Sequence, residues 1–291
     1  MQFSENDAAV LIVFGQSNAH AHATKLEENE KINTPLKNVF GLKAEKHQKY
    51  GLKSVFFERY TSHSMNIAET QDHTVSVANV TARLWQDMID GGKSLPDLYI
   101  LQMSIGSQGL SSKISDPRKN MWQFDRERVM ISGTLKEVDI SLYPFACEVL
   151  PLVKEAVIQK GKNPVVIGLH WNQWETDATL GIENMRDCKA DYLKLFSSFK
   201  GLLNLNYTTF LYRPLSDCVP IWSPECVAYM NEIFNEIKAE NDGFEILDLK
   251  KSDLYVKDTS DHGIFLRDNA HYTPEAHRWF AKEALRIRRI I

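Results

Sequence analysis

Short apolar runs rich in β-branched residues alternate along this chain with longer segments whose apolar positions return every three to four residues. The runs at 9–14, 97–103, 164–170, 207–212 and 244–247 predict strands, because a strand buried on both faces reads as an unbroken apolar stretch. The segments at 75–89, 143–160, 184–201, 224–240 and 274–291 predict helices with one apolar face. Five βα units in a row are the pattern of a parallel sheet covered by helices on both faces. Thr273 before Pro274 and Glu275 reads as an N-cap, a first-position proline and a first-turn acid, and Ser223, Pro224 and Glu225 repeat it. Two stretches, 19–71 and 106–140, carry little regular pattern. Each follows a predicted strand and so emerges at the carboxyl edge of the sheet, where open α/β sheets bind ligands. Loops of that length inside a folded domain are as a rule functional.

The length, 291 residues, lies near the size at which one hydrophobic core stops growing, and the simplest reading is one domain over 1–291 with the two long stretches as active-site loops. Hydrophobic residues make up 43% and charged residues 25%, so the chain can bury a core. Lys and Arg number 34 against 38 Asp and Glu, a net charge of −4, and no basic block marks a surface that tracks phosphates; nucleic acid is not an expected partner. Arg286, Arg288 and Arg289 fall in the last turn of the final predicted helix, where cations complement its dipole. The first residues carry no basic leader and no run approaches the ~18 apolar residues of a membrane span, so a cytoplasmic location without a membrane partner is expected. Cys147, Cys188, Cys218 and Cys226 lack metal-site spacing and read as structural thiols, Cys218 and Cys226 being near enough in sequence to bridge. Oligomeric state is not legible.

Candidate chemistry sits at the two ends of the chain. In LIVFGQSNAHAH an apolar strand runs directly into Gly15, Gln16, Ser17 and Asn18. A serine just past a buried strand, after a glycine that permits an unusual turn, is exposed where its hydroxyl can reach a substrate; the same four residues also fit a plain loop. In FLRDNAHYTPEAH, Asp268 and His271 stand three apart before a helix start. That spacing lets a tight turn bring the carboxylate against the imidazole, although a solvated loop before a helix has the same pattern. In a three-layer α/β fold both pieces meet at one sheet edge and supply nucleophile, base and orienting acid.

With these two blocks the sequence resembles the SGNH hydrolases, and more narrowly the sialate O-acetylesterase and acetylxylan esterase family, which open with a strand followed by GQSN and close with DxxH ahead of a helix. The resemblance implies a flavodoxin-like, five-stranded parallel sheet of order 2-1-3-4-5 and the removal of acetyl groups from a carbohydrate, with no cofactor and no metal. Two middle blocks extend it. LQMSIGSQGL is similar to the family's Gly-Gly-Ser or Gly-Gly-Thr turn, with Ile105 in place of the first glycine and Gly106 keeping the second. GLHWNQWETDA is similar to its Trp-x-Gln-Gly-Glu-x-Asp block, with Trp171, Gln173, Glu175 and Asp177 retained. By this resemblance Ser17, Asp268 and His271 are catalytic, and the Ser17 and Gly106 amides with the Gln173 side chain form the oxyanion hole. Losing one such donor costs on the order of 100- to 1,000-fold in rate.

The chain departs from the family pattern at Trp174, where a glycine is usual, and at Ala19 and His20, where a small residue and a glycine are usual. Both places flank the expected pocket and bear on substrate identity. Gln16, Asn18, His20, Trp174, Glu175 and Arg213 are the candidate substrate contacts, with His22, Trp122, Trp171 and Trp222 as weaker ones; structural alternatives are a loop histidine for His20 and His22, packing for the four tryptophans, a loop anchor for Glu175 and an ion pair for Arg213. His262 beside Asp261 is a weaker rival base. Glu175 and Asp177 are too close in sequence to straddle a glycosidic bond. Two other activities fit the same residues: an acyltransferase in which a sugar hydroxyl captures the acyl group, and a carbohydrate-binding protein on a decayed hydrolase scaffold, which the lost glycine at Trp174 would suggest.

Overall fold

A computed structural model describes the chain apart from residues 48–50, 64–65, 69–71, 117–118, 125–140, 216–221, 256–263 and 267–269, and the side chains of 44–55. Its elements run in chain order β1 (Asp7–Gly15), β2 (Val39–His47), β3 (Gly51–Arg59), α1 (Val77–Asp90), β4 (Leu98–Ser104), α2 (Leu142–Ile158), β5 (Asn163–Asn172), α3 (Cys188–Leu203), β6 (Thr209–Tyr212), α4 (Pro224–Glu240), β7 (Phe244–Leu247) and α5 (Pro274–Ile287). The sheet has seven strands in the order β3-β2-β4-β1-β5-β6-β7.

The five strands expected from the sequence are β1, β4, β5, β6 and β7, parallel to one another in the expected neighbour order. The expectation of a five-stranded, wholly parallel sheet is corrected by the hairpin β2–β3, which lies inside the stretch 19–71 read as loop. β2 pairs parallel with β4, and β3 closes that edge antiparallel to β2. Val39 and Leu42 are fully buried, Phe40 stacks on Tyr99 at 5.0 Å and Phe57 meets the same ring edge-on at 4.9 Å. Lys43 pairs with Glu58 at 2.8 Å across the two strands, and such charged residues on an edge break the apolar run that marks a strand.

Residues Ala8 to Phe14 of β1 are all buried, as a central parallel strand requires. Ala9, Leu11 and Val13 pack with Ala78, Ala82 and Trp85 of α1, while Val10, Ile12 and Phe14 face the core that holds Phe145 and Val149 of α2 and Phe199 of α3. Helix α1 packs on α5, and α2, α3 and α4 are neighbours in turn. The two predicted helix starts take the expected form, with the hydroxyl of Ser223 accepting from the Cys226 amide and that of Thr273 from the Ala276 amide. Helix α3 begins at Cys188, later than expected, after two short 3-10 turns at Asp177–Leu180 and Ile182–Asn184. Among the described residues no helix is long and apolar enough to cross a membrane. Cys147, Cys188 and Cys226 are thiols, and Cys218 lies outside the described residues.

Strand register sets the level of the site. Gly15, Ser104 and Asn172, the last residues of β1, β4 and β5, are paired across the sheet. Ser17, Gly106 and Gln173 therefore leave three adjacent strands at the same rim.

Candidate active site

The turn after β1 is dictated by how closely β1 and β5 approach at their ends. A Cβ on Gly15 would stand 2.2 Å from the carbonyl oxygen of Asn172, and the glycine holds φ +148°, which side chains disfavour. The next amide, Gln16, donates to that same carbonyl at 3.1 Å. The chain then coils tightly, with the Ala19 amide donating to Gln16 O and the His22 amide to Ser17 O, both at 2.9 Å. Ser17 is left half-buried at the rim. Gly106, two residues past β4, lies against it: a Cβ there would stand 3.7 Å from the Ser17 Cβ. The blocks after β1 and β4 are thus in contact at Ser17.

Asn18 brings in the carboxyl-terminal block. Its Nδ2 donates to Glu175 Oε1 at 2.7 Å and to the Ala270 carbonyl at 3.1 Å, while its Oδ1 accepts from the Tyr272 amide at 3.1 Å. One side chain therefore grips the backbone on both sides of His271. The loop is pinned further where the Leu266 amide donates to His271 O at 2.7 Å and the Thr273 amide to Ile264 O at 2.9 Å. His271 is half-buried, and its ring centre lies 4.7 Å from that of His22. Asp268, its expected orienting partner, lies outside the described residues, as do Asp261 and His262. Among the described residues the Ser17 hydroxyl makes no hydrogen bond. Hydrogen bonds of a catalytic set commonly tighten only when substrate is bound.

Glu175 is the hub of this arrangement. Only 4% exposed, its carboxylate accepts from Gln16 Nε2 at 2.6 Å, Asn18 Nδ2 at 2.7 Å and the Trp174 amide at 3.0 Å. Burial pushes its pKa up, and the Asn18 hydrogen bond is the largest of those opposing the rise. Gln16 is likewise buried and accepts from Thr176 Oγ1 at 2.8 Å. Gln16, Asn18 and Glu175, expected as substrate contacts, are instead the internal frame on which Ser17 is mounted.

Two further expectations, Gln173 as an oxyanion donor and His20 as a substrate contact, meet buried side chains. Gln173 is 0% exposed; its Nε2 spends both hydrogens on Gln108 O at 3.1 Å and Asp177 Oδ2 at 2.8 Å, and its Oε1 accepts from Tyr192 at 2.8 Å. An amide so committed has no hydrogen left for an oxyanion. Asp177 is also enclosed, its other oxygen accepting from the Leu110 and Ser111 amides at 3.0 Å, so Gln173, Asp177 and Tyr192 staple the loop after β5 to the loop after β4. His20 is 1% exposed, with Nδ1 3.2 Å from Ser104 Oγ, and burial lowers its pKa to about 3; it is a neutral interior histidine and does not face the rim.

The other two candidates lie in packing as well. Trp174 is 1% exposed and packed against Trp222, ring centres 4.8 Å apart, which offers no open face to a sugar. Arg213 pairs with Asp248 at 2.7 Å and donates to Asn231 at 3.0 Å. Among the described residues no cluster of three or more His, Cys, Asp or Glu side chains is arranged to hold a metal. The residue left at the rim beside His271 is His22, which the sequence could not separate from His20 because the intervening turn has no regular period.

No protein-family model and no curated protein sequence matches the chain. Solved structures do match. It is similar to the protein NanS, at 16% identity over 99% of both chains with a TM-score of 0.58. It is also similar to a protein of Arabidopsis thaliana, at 13% identity over 96% of this chain and 97% of that one, TM-score 0.57. A carbohydrate acetylesterase from Xanthomonas citri matches at 14% identity and TM-score 0.56, over 96% of this chain and 56% of the longer protein. At such identities the likeness establishes a shared fold.

Proposed function

We propose that this protein is a serine esterase of the SGNH hydrolase class that removes O-acetyl groups from a carbohydrate. The observation that carries the reading is the meeting of three loops at one rim: Ser17 against Gly106, and the backbone around His271 gripped by Asn18 next door. The shared fold with a structure described as a carbohydrate acetylesterase supports the substrate class.

In this mechanism His271 takes the Ser17 proton as Oγ attacks the acetyl carbonyl, with Asp268 holding the imidazole in the required tautomer. The carbonyl oxygen, now negative, is received by the amides of Ser17 and Gly106. Collapse expels the sugar oxygen, which takes the proton from His271 and leaves an acetyl-enzyme. Water, deprotonated by the same histidine, then releases acetate and restores Ser17. Trp174 does not count against activity, since its side chain turns into packing on Trp222 while Glu175 keeps its bonds to Gln16 and Asn18. The test is hydrolysis of p-nitrophenyl acetate and acetate release from O-acetylated sialic acids and xylan fragments. Wild-type protein turns over and Ser17→Ala does not; equal rates would overturn the nucleophile assignment.

A further inference from the structure

His22 belongs to the rim beside Ser17, yet the mechanism above gives it no role. Its imidazole is exposed, its ring centre lies 4.7 Å from that of His271, and the two planes are inclined by 50°. The backbone that presents it is strained on both sides: Ala21 holds φ +58° and Ala23 φ +62°, left-handed conformations that residues other than glycine adopt at a cost. Hydrogen bonds maintain that shape. The His22 amide donates to Ser17 O at 2.9 Å, and Thr24 returns to Ala21 O through its amide at 3.1 Å and its hydroxyl at 2.7 Å. Two left-handed alanines around one exposed histidine make a turn whose product is the position of that ring, tied directly to the nucleophile residue.

We propose that His22 is a positioning residue for His271: its ring packs on the His271 imidazole and limits the orientations open to it at the rim beside Ser17. The proposal rests on the esterase reading and adds to it a residue that acts through His271. The contact is ring on ring, so a phenylalanine retains it and an alanine does not. A side chain that binds substrate directly would behave differently, altering KM and leaving the intrinsic reactivity of Ser17 untouched.

The experiment compares wild type, His22→Ala and His22→Phe on p-nitrophenyl acetate, with the rate of Ser17 labelling by a fluorophosphonate measured in parallel. His22→Ala is expected to lower kcat and the labelling rate by about 10- to 100-fold with KM unchanged, the upper figure being the effect of a catalytic group misplaced by about 1 Å. His22→Phe is expected to restore both to within about twofold, since ring packing rather than chemistry is being supplied. The proposal is overturned if His22→Ala matches wild type, if the loss falls on KM alone, or if phenylalanine rescues nothing. A wild-type protein that neither hydrolyses the ester nor takes the probe would overturn the esterase reading itself, an outcome distinct from an active wild type indifferent to His22.

Discussion

The side-chain carbonyl of Asn18 accepts the amide hydrogen of Tyr272 at 3.1 Å, joining residues 254 positions apart. With the companion bond from Asn18 Nδ2 to the Ala270 carbonyl, it fixes the backbone on either side of His271 relative to the turn that carries Ser17. The spacing between Ser17 and His271, the two ends of the proposed catalytic set, is therefore governed by a side chain given no chemical step in it. Replacing Asn18 by Ala removes one hydrogen bond each from the buried Tyr272 amide, the part-buried Ala270 carbonyl and the buried Glu175 carboxylate. Unfolding free energy should fall by about 1–3 kcal/mol, the cost of unsatisfied buried groups. Below the unfolding transition kcat should fall more than KM rises, which denaturant titration and steady-state kinetics on the same preparation would check.

Gly15 admits no side chain. In Gly15→Ala the new Cβ would meet the Asn172 carbonyl at 2.2 Å, so β1 and β5 must separate where Ser17 emerges. Overpacking of this kind costs about 1–3 kcal/mol. The variant should lose esterase activity beyond its loss of stability, since the displaced turn carries Ser17, the proposed nucleophile; full activity in the folded variant would contradict the role given to this approach.

Gln173 separates a structural amide from a catalytic one. Removing an oxyanion donor costs about 100- to 1,000-fold in kcat. Because both hydrogens on Gln173 Nε2 are committed to Gln108 and Asp177, Gln173→Ala should instead destabilise the fold and lower kcat of the folded protein by less than about tenfold. Kinetics at low temperature together with a thermal melt would distinguish the two losses.

Buried neutral histidines set the response to acid. Burial lowers the pKa of His20, His170 and His277 from 6.5 to about 3 in each case. The unfolded chain takes up these protons near pH 6.5 while the folded chain does not, so stability is complete above that pH and is lost as pH falls towards 3. Three such groups give a slope approaching roughly 4 kcal/mol per pH unit once the unfolded histidines are protonated. Denaturant titrations at pH 7, 6 and 5 would measure it, and His170→Asn should reduce the slope by about a third. Independence of stability from pH over that range would contradict the burial of these rings.

Much of the architecture was legible because its signals are local. The run through Phe14 is apolar because β1 is covered on both faces, and Ser223 with Pro224 or Thr273 with Pro274 mark helix starts through chemistry confined to four residues. The hairpin β2–β3 was not legible, since charged residues such as Lys43 and Glu58 interrupt the run of its apolar residues Val39, Phe40, Leu42 and Phe57. In the site, the family resemblance and the place of each block after its strand indicated which blocks meet but not which way each side chain turns. Gln173 and His20 face inward because their partners, Asp177, Tyr192 and Ser104, come from other elements, and no periodicity within a loop encodes that direction. His22, two residues from His20, reaches the rim through left-handed backbone at alanines, which nothing in their identity announces.

The central claim is that the hydroxyl of Ser17 is the group that attacks the ester. Its most direct measurement is the mass of the intact protein and of its proteolytic peptides after reaction with a fluorophosphonate. The account predicts one adduct, carried by the peptide containing Ser17 and absent from Ser17→Ala. An adduct on another residue, or undiminished labelling of the Ser17→Ala protein, would contradict it.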